Sequence, residues 1–307
     1  PRFLNCMYGF RPNRGCHNAI KELYKSLNNT KICYIVDADI KGFFDHMKHE
    51  WIIKFLHLYI KDPNIIGLVK KYLKVGVLDD GKLMLNEEGS AQGNIISPIL
   101  ANIYMHNVLT LWYKFIITKE CKGDNFLIVY ADDFVAGFQY KWEAENYYKL
   151  LKERMEKFGL QLENSKSCLL QSGAYIARAK QKNGESIRLQ TFDFLGFTFY
   201  CGRSRKGVPY IMPKTSSKKF RQKIRDIKVW LYANRDQPLK KLMGMLNLKL
   251  TGHYRYYGIS FNGRMISNYK QQVRELLFKV LNRRSDRKSY TREGFIEMLK
   301  YYPLAMP

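Results

Sequence analysis

The segment FLIVYADDFVAGF, residues 126–138, places two adjacent carboxylates between two apolar runs. The runs Phe126–Val129 and Phe134–Phe138 favour β-strands, so Asp132 and Asp133 are predicted at the tip of a hairpin. Neighbouring carboxylates repel each other, and the pair is costly unless a cation neutralises it. A solvated Asp-Asp turn is an equally good interpretation of this segment alone.

A second acidic strand end lies at residues 31–40. Strand alternation places Cys33, Ile35, Asp37 and Asp39 on one face, so the apolar part of the strand ends in carboxylates. Three carboxylates from two strands are what two Mg²⁺ ions roughly 3.5–4 Å apart require, and the reaction implied is nucleotidyl transfer. Spacing does not choose between Asp37 and Asp39.

The composition indicates a folded, basic protein. The chain has 307 residues, of which 46% are hydrophobic and 14% aromatic, enough to fill the cores of two modest domains. Lysine and arginine number 52 against 27 aspartates and glutamates, a net charge of +25. Such a charge would repel itself unless a polyanion lies against it, and nucleic acid is the expected partner.

A membrane surface is the competing polyanion. The most apolar helical stretch, residues 98–117, is interrupted by Asn102, His106, Asn107 and Lys114, so it is predicted to be a buried helix and not a membrane span. The six cysteines contain no C-x-x-C pair, which argues against a zinc ribbon and a dense disulfide framework. A reducing, intracellular setting is expected.

Strand-like and helix-like segments alternate before residue 201. Strands are predicted at 31–40, 126–138 and 192–200, and helices at 51–60 and 142–158, which makes this part α+β. Glycines and prolines between Cys201 and Ser217 predict a linker. Beyond it, apolar residues at helical spacing predict a basic helical bundle. Residues 214–307 hold 22 lysines and arginines against 6 aspartates and glutamates, which favours phosphate binding there.

Two of these motifs resemble the metal-binding motifs of reverse transcriptases. Residues 39–45, DIKGFFD, are similar to the first motif, and residues 130–133, YADD, are similar to the second. The resemblance implies that Asp39, Asp132 and Asp133, with the backbone of Ile40, hold two Mg²⁺ ions, for which Mn²⁺ could substitute. Asp37 falls outside the motif.

The same family lines its nucleotide pocket with a Gln-Gly motif. Residues 90–98, SAQGNIISP, form a predicted loop that runs into a helix, with Ser97 suited to the N-cap. The segment resembles that motif, most closely as it stands in group II intron enzymes. The resemblance implies that Gln92 and Gly93 bind the incoming nucleotide.

Two further residues are assigned to this pocket by resemblance. Phe44 occupies the place of the aromatic residue that blocks the sugar 2′-hydroxyl, which would favour deoxynucleotides; an ordinary core phenylalanine is the alternative. Lys166 lies in GLQLENSKS, residues 159–167, where a lysine can approach the triphosphate and protonate pyrophosphate; a surface lysine is the alternative.

Two other segments resemble elements that contact primer and template. FDFLGFTF, residues 192–199, is similar to the primer grip, which implies Phe194, Leu195 and Gly196 as its contacts. YGFRPNRGCH, residues 8–17, is similar to the element beside the fingers and template. Its Arg11 and Arg14 would bind phosphate or template, and a structural turn is the equally weighted alternative.

The C-terminal part resembles the thumb of group II intron proteins, also called domain X or the maturase domain. The resemblance rests on LNLKLTGHYRYY, residues 246–257, and LNRRS, residues 281–285. About half of the tyrosines in this part are expected to pack the bundle, and the others to stack on RNA. The RNA or template contacts implied are Lys218, Lys219, Lys249, Tyr254, Arg255, Arg283 and Arg284.

The resemblance covers essentially the whole chain and implies a right-hand polymerase. The expected fold class is α+β: an antiparallel palm sheet backed by helices, with partial fingers, followed by a small basic all-α thumb. The expected domains are partial fingers at 1–30, the palm with the remaining fingers elements at 31–202, a linker at 203–217 and the thumb at 218–307. Upstream fingers and a C-terminal zinc-containing endonuclease domain, which relatives carry, are expected to be missing.

The function implied is that of a reverse transcriptase of a mobile group II intron that also assists splicing as a maturase. Expected partners are group II intron RNA, an RNA template, a DNA primer, dNTPs and target DNA, without a membrane, in the bacterial cytoplasm. An RNA-binding splicing cofactor without polymerase activity is the alternative. A domesticated enzyme of host defence or repair is another. The oligomeric state stays open.

Overall fold

The computed structural model describes residues 3–74, 77–79, 82–84, 88–89, 95–163, 167–283 and 289–307. The chain forms two compact units, one of Pro1–Leu195 with Tyr200–Ile211 and the other of Gly196–Phe199 with Met212–Pro307. Within the described ranges, each helix is too short or too polar to cross a membrane.

Helices make up most of the regular structure, and strands are short. The helices are α1 Cys16–Asn29, α2 Phe43–His46, α3 His49–His57, α4 Pro63–Lys74, α5 Ser97–Met105, α6 Thr118–Glu120, α7 Lys141–Lys157, α8 Ala174–Lys182, α9 Ser217–Ala233, α10 Leu239–Tyr257, α11 Gly263–Leu281 and α12 Arg292–Tyr301. The strands are β1 Tyr34–Ala38, β2 Val77–Asp79, β3 Lys82–Met84, β4 Asn125–Tyr130, β5 Asp133–Phe138, β6 Cys168–Gln171, β7 Phe192–Phe194, β8 Phe197–Arg203 and β9 Pro209–Thr215.

The first unit is built on an antiparallel sheet in the order β4-β5-β1-β6. Its strands are rich in β-branched and aromatic residues, which pack well on a pleated surface. Helix α7 contacts β1 and β5. Val129 and Phe134 of the sheet share one core with Tyr104 of α5 and Tyr147 of α7. The predicted α+β fold, with an antiparallel sheet backed by helices, is confirmed.

The apolar segment predicted as a buried helix at 98–117 is mostly buried, except for Ile99 and residues 114–116, and it is not one regular α-helix. Residue Ile96 occupies the N-cap, and Ser97 is the first helical residue, so the predicted Ser97 cap is wrong by one position. After α5 the chain continues in π-helical turns at His106–Thr110 and Tyr113–Ile117. The wider turns are stabilised by side chains that bond to their carbonyls: the Arg154 guanidinium donates to Val108 O at 2.9 Å and to Asn107 O at 3.3 Å.

A β-hairpin occupies most of the predicted linker at 203–217. Strands β8 and β9 belong to a sheet of order β7-β8-β9, and side chains of β9 alternate strictly between buried and half-buried. The glycines and prolines that indicated a linker have local explanations. Gly207 lies in the connecting turn with φ +76°, and Pro209 and Pro213 lie on the edge strand, where a missing N–H is tolerated.

The second unit contains α9–α12, which carry the predicted helical periodicity. Phe220, Ile227 and Leu231 of α9 are buried, whereas Ile224 is half-buried. Helix α11 buries Ile266, Tyr269, Val273 and Val280, together with Leu277. Ser216 caps α9 by accepting a hydrogen bond from Lys219 N. The predicted basic all-α segment is therefore confirmed, while the domain bounds themselves stay a prediction.

Candidate active site at the end of the central sheet

The two adjacent carboxylates lie at a two-residue hairpin turn between β4 and β5. The last residue pair of the ladder is Tyr130 with Asp133, which leaves Ala131 and Asp132 as the turn. Ala131 has φ +57°, a conformation that costs a residue with a Cβ roughly 1–2 kcal/mol. Of the two turn residues only Ala131 has positive φ, the pattern of a type II′ turn, which matches the twist of the flanking strands. The turn projects Asp132 and Asp133 from a buried ladder.

The strand register places Asp39 at the same end of the sheet as Asp132 and Asp133. Strand β1 runs antiparallel to β5, and its last residue, Ala38, pairs with Phe134. The next residues beyond that pair are Asp39 and Asp133, so these two carboxylates adjoin. The backbone of Asp39 is held on its other side, where its N–H reaches Ser167 Oγ at 3.4 Å and its carbonyl accepts from Glu163 N at 2.8 Å.

The backbone of Ile40 is oriented by an isolated bridge to Leu162. The hydrogen bonds of that bridge are made by Lys41 N to Gln161 O at 2.9 Å and by Glu163 N to Asp39 O. Neither backbone group of Ile40 is therefore used in the bridge, as expected for a non-hydrogen-bonded antiparallel pair. The Ile40 carbonyl retains the capacity that its predicted role as a metal ligand requires.

The carboxylates form one electrostatic neighbourhood. Burial, followed by the charges of Asp133, Asp193 and Asp39, raises the pKa of Asp37 to about 7. Burial, followed by the charge of Asp39, also raises the pKa of Asp132. Each negative charge at this edge therefore makes ionisation of its neighbours less favourable.

The donor set suits a hard divalent cation. Carboxylate oxygens are the ligands that Mg²⁺ and Ca²⁺ prefer, and a cation would offset the repulsion that raises the pKa of Asp37 and Asp132. Within the part of the chain that the structure describes, however, no three His, Cys, Asp or Glu side chains are grouped closely enough to hold a metal as they stand.

Sequence reasoning did not assign a role to Asp193. It lies on β7, a strand of the first unit that contacts β5, and its side chain is exposed between the buried Phe192 and Phe194. Its charge contributes to the raised pKa of Asp37. In the sequence, Asp193 stands out as an acidic residue in an otherwise apolar strand. Its proximity to Asp37 is not predictable from the sequence.

The predicted sugar-contacting residue, Phe44, is half-buried and is the second residue of the short helix α2. Its ring contacts the fully buried Phe43 edge-to-face, with 5.4 Å between ring centroids. Gly89 lies directly against the backbone of this helix: a Cβ at Gly89 would be 3.0 Å from Phe44 O and 2.9 Å from Asp45 O. The chain that leads to residue 90 is thus anchored beside Phe44. Three predicted pocket residues, Gln92, Gly93 and Lys166, lie outside the described residues.

The predicted primer grip is a tight turn. Phe194 ends β7 and is buried, and Leu195 and Gly196 connect it to β8 with φ of +48° and +79°. Two consecutive positive φ values are the mark of a type I′ turn, which glycine favours at its second position. The prediction of one continuous strand over 192–200 is wrong at this turn.

Arg11 and Arg14 make structural contacts within the N-terminal segment. Arg11 Nη1 donates to Leu4 O at 2.7 Å and Met7 O at 3.0 Å. Arg14 donates to the backbone and side-chain oxygens of Asn5, the latter at 2.9 Å. These contacts correspond to the structural alternative, and the role of both residues in template binding stays a prediction.

The predicted RNA contacts of the second unit differ in exposure. Lys218, Lys219, Lys249 and Arg255 are exposed, and Lys249 lies over the Trp230 ring, with its Nζ 5.0 Å from the centroid. Tyr254 is buried, with 7% of its surface exposed, so its ring packs the core and is not available for stacking on RNA.

Position 283 is one more predicted RNA contact in this unit. The exposed Arg283 donates to Tyr232 Oη at 2.9 Å. Arg284 is outside the described residues.

An antiparallel sheet with a carboxylate hairpin at one edge and helices behind it is the palm architecture of template-directed polymerases. Residues 2–199 match the family described as reverse transcriptase (RNA-dependent DNA polymerase), and the chain belongs to that family. Residues 217–296 match the group II intron, maturase-specific domain. The resemblance to group II intron reverse transcriptases is thereby confirmed, and reverse transcriptases generally use divalent metal ions.

Curated relatives are similar over about a third of this chain. The group II intron-encoded protein LtrA of Lactococcus lactis subsp. cremoris is 37% identical over 124 residues, 40% of this chain and 20% of the relative. An uncharacterized 91 kDa protein in the cob intron of Schizosaccharomyces pombe is 39% identical over 109 residues, 35% of this chain and 13% of the relative. Protein YkfC of Escherichia coli is 33% identical over 107 residues, 34% of this chain and 28% of the relative. The aligned residues span less than a third of each relative.

Solved telomerase structures show a distant likeness. Telomerase from Candida albicans, in complex with a fragment of telomeric RNA, has a TM-score of 0.45 and 13% identity, covering 92% of this chain and 48% of that chain. Apo telomerase from Candida tropicalis has a TM-score of 0.44 and 15% identity, covering 92% and 50%.

Proposed function

We propose that this chain carries the palm and thumb of an RNA-directed DNA polymerase encoded by a mobile group II intron. The observation that supports this most directly is the sheet register, in which the pair Ala38–Phe134 sets Asp39 beside Asp133 in a member of the reverse transcriptase family. The substrates would be dNTPs, a DNA primer and an RNA template. The domain bounds proposed are partial fingers at 1–30, the palm with the remaining fingers elements at 31–202, a linker at 203–217 and the thumb at 218–307.

The chemistry proposed is two-metal nucleotidyl transfer. Asp39, Asp132, Asp133 and the Ile40 carbonyl would hold two Mg²⁺ ions, or Mn²⁺ in their place. Bound there, the ions would lower the pKa of the primer 3′-hydroxyl and neutralise charge on the triphosphate. The 3′-oxygen forms a bond to the α-phosphorus, the bond to the β-phosphate oxygen breaks, and pyrophosphate leaves.

The chain's other residues would position the substrates. Phe44, oriented by its contact with Phe43, would close the space that a ribose 2′-hydroxyl needs. Gln92 and Gly93 would line the nucleotide pocket, and Lys166 would donate a proton to the leaving pyrophosphate. The turn at Phe194, Leu195 and Gly196 would support the primer strand.

The carboxylate assignment is tested by primer extension on an RNA template. Asp39→Ala, Asp132→Ala and Asp133→Ala are each expected to reduce extension by on the order of 10³-fold, because each removes an oxygen ligand of the ions. Asp124→Asn is the matched control: Asp124 lies at the other end of the same hairpin, and its Oδ2 accepts a hydrogen bond from Lys31 N. Full activity in any of the three alanine variants would remove that residue from the mechanism.

A second candidate function is RNA binding as a splicing cofactor, either alone or beside polymerase activity. The match of residues 217–296 to the maturase-specific domain and the exposed Lys218, Lys219, Lys249 and Arg255 support it. Group II intron RNA would be the ligand, target DNA a further partner, and the bacterial cytoplasm the place. Binding that is tight, specific for intron RNA and unaffected by Asp133→Asn would support this function. Loss of that specificity between 50 and 200 mM salt would contradict it.

A further inference from the structure

The N-terminal segment pairs with the strand that leads to the carboxylate turn. Tyr8 N donates to Val129 O and Val129 N donates to Cys6 O, both at 2.8 Å, around a parallel bridge between Met7 and Val129. Met7 is 1% exposed, so water does not compete for this pairing. The segment therefore approaches the turn region held by one isolated bridge to β4.

Gly9, two residues further on, lies directly against the turn. A Cβ built on Gly9 would be 2.7 Å from Ala131 N and 3.2 Å from Tyr130 C, which are both backbone atoms. Gly9 does not have positive φ, so glycine is required at this position for space and not for backbone conformation. Ala131 is the residue of the turn with φ +57°, a strained conformation that persists only where the surroundings hold it.

Asn102 of α5 binds the carbonyl of Gly9. Its Nδ2 donates to Gly9 O at 2.9 Å, and the side chain is 1% exposed. Its Oδ1 is buried without a hydrogen-bond partner, so the bond to Gly9 is the contact that orients this amide. Helix α5 is thus connected to the carboxylate turn by the buried side chain of Asn102 and by Gly9.

We propose that Gly9 and Asn102 are positioning residues for the reaction. They form a stack, Asn102 on Gly9 on Ala131, that fixes the place of Asp132 and Asp133 relative to Asp39. The expected loss of kcat rests on the proposed polymerase function, whereas the stack itself is present in the free protein. A displacement of about 1 Å at a reacting centre can cost on the order of 10²-fold in rate.

The steric half of the stack is tested with two glycine variants of one motif. Gly9→Ala places a methyl group against the turn, whereas Gly15→Ala is the control, because a Cβ there meets nothing closer than Asn18 Oδ1 at 3.9 Å. Gly9→Ala is expected to lower kcat for primer extension roughly 10²-fold with the KM for dNTP changed less than about threefold. Gly15→Ala is expected to retain the wild-type values.

The hydrogen-bonded half is tested with two asparagine variants of neighbouring helical turns. Asn102→Leu removes the donor to Gly9, whereas Asn107→Leu removes an amide that donates to Ile103 O of its own segment at 2.8 Å. Asn102→Leu is expected to lower kcat in the same direction as Gly9→Ala. Asn107→Leu is expected to affect stability only.

Amide hydrogen exchange in the substrate-free protein supplies a readout that does not depend on activity. Faster exchange of residues 126–135 in Gly9→Ala and Asn102→Leu, with the controls unchanged, together with the kcat loss, would support the proposal. Unchanged kcat and unchanged exchange in an active protein would overturn it, and so would global unfolding of both variants, since the role would then be structural. A wild-type protein without extension activity would contradict the polymerase function, while the exchange data would still decide whether the stack holds the turn.

Discussion

At the scale of single residues, Phe43 and Phe44 are adjacent phenylalanines with different surroundings. Phe43 is fully buried in the core of the first unit, whereas Phe44 is half-buried and its backbone carbonyl lies against Gly89. The edge-to-face contact between the two rings lets the core orient the half-buried ring of Phe44. Phe43 therefore packs the core, and Phe44 is the residue proposed to select the sugar.

Phe44→Ala is expected to raise incorporation of ribonucleotides relative to deoxynucleotides by at least about tenfold, with little loss of stability, because it opens the space at the sugar. Phe43→Leu is the control and is expected to lower the free energy of unfolding by roughly 1–2 kcal/mol without changing sugar selection. The ratio of kcat/KM for dGTP and GTP on one template measures the effect. Equal ratios in wild type and Phe44→Ala would assign Phe44 to the core.

Among the secondary-structure elements, those with a clear apolar periodicity were predicted from the sequence. The hairpin over 126–138, helix α7 and the helices of the second unit follow from apolar periodicity. Features set by contacts distant in sequence were not predictable. Arg154 bonds to carbonyls 46 and 47 residues away in the π-helical turns, and β9 tolerates Pro209 and Pro213 because it is an edge strand.

The site was predictable to the same extent. Asp132 and Asp133 follow from the local sequence, but the choice of Asp39 over Asp37 needed the family resemblance. The register gives the two residues different positions, since Asp37 pairs within the sheet with Val135 and Cys168, whereas Asp39 lies beyond the last pair, and the role of Asp39 as a metal ligand stays a prediction. The contact of Gly9 with Ala131 left no periodic signal in the sequence.

The π-helical turns are expected to depend on Arg154. Arg154→Met removes the donors to Asn107 O and Val108 O and is expected to lower the free energy of unfolding by roughly 1–3 kcal/mol. Lys157→Met, an exposed position on the same helix, is the control and is expected to change it by less than about 0.5 kcal/mol. Urea unfolding measures both, and equal effects would contradict a specific role of the guanidinium.

The helices of the second unit are expected to lose stability in mild acid because of His253. Burial, with the nearby charge of Lys223 as a smaller cause, lowers the pKa of His253 to about 4, and its ring stacks on Tyr269 with 3.6 Å between centroids. Because the pKa of His253 is lower in the folded protein, the unfolded chain binds the proton more readily. The free energy of unfolding therefore has its full value above about pH 6.5 and decreases toward pH 4. His253→Phe is expected to make the thermal unfolding temperature depend less on pH over this range. An unchanged pH dependence in that variant would contradict the assignment.

At the scale of the whole molecule, net charge sets the affinity for polyanions. The chain carries +25, and the segment that matches the maturase-specific domain exposes lysines and arginines on α9 and α10. Each phosphate that a lysine or arginine neutralises releases bound counterions, and it steepens the slope of log affinity against log salt by about one unit.

Replacing Lys218 and Arg255 together with alanine is expected to lower RNA affinity and to reduce that slope by about two, since both side chains are exposed. Tyr254→Phe is the control, because Tyr254 is buried and its hydroxyl has no hydrogen-bond partner. Filter binding across a salt series measures both variants. A larger loss in Tyr254→Phe than in the charge variant would contradict the burial argument.

Polymerase activity is tested most directly by Mg²⁺-dependent extension of a DNA primer on an RNA template with the wild-type protein and with Asp133→Asn. We expect extension with deoxynucleotides, little with ribonucleotides, and loss of the product in Asp133→Asn while RNA binding is retained. Extension that persists in Asp133→Asn, or tight RNA binding by a wild-type protein that extends no primer, would contradict the proposed polymerase function.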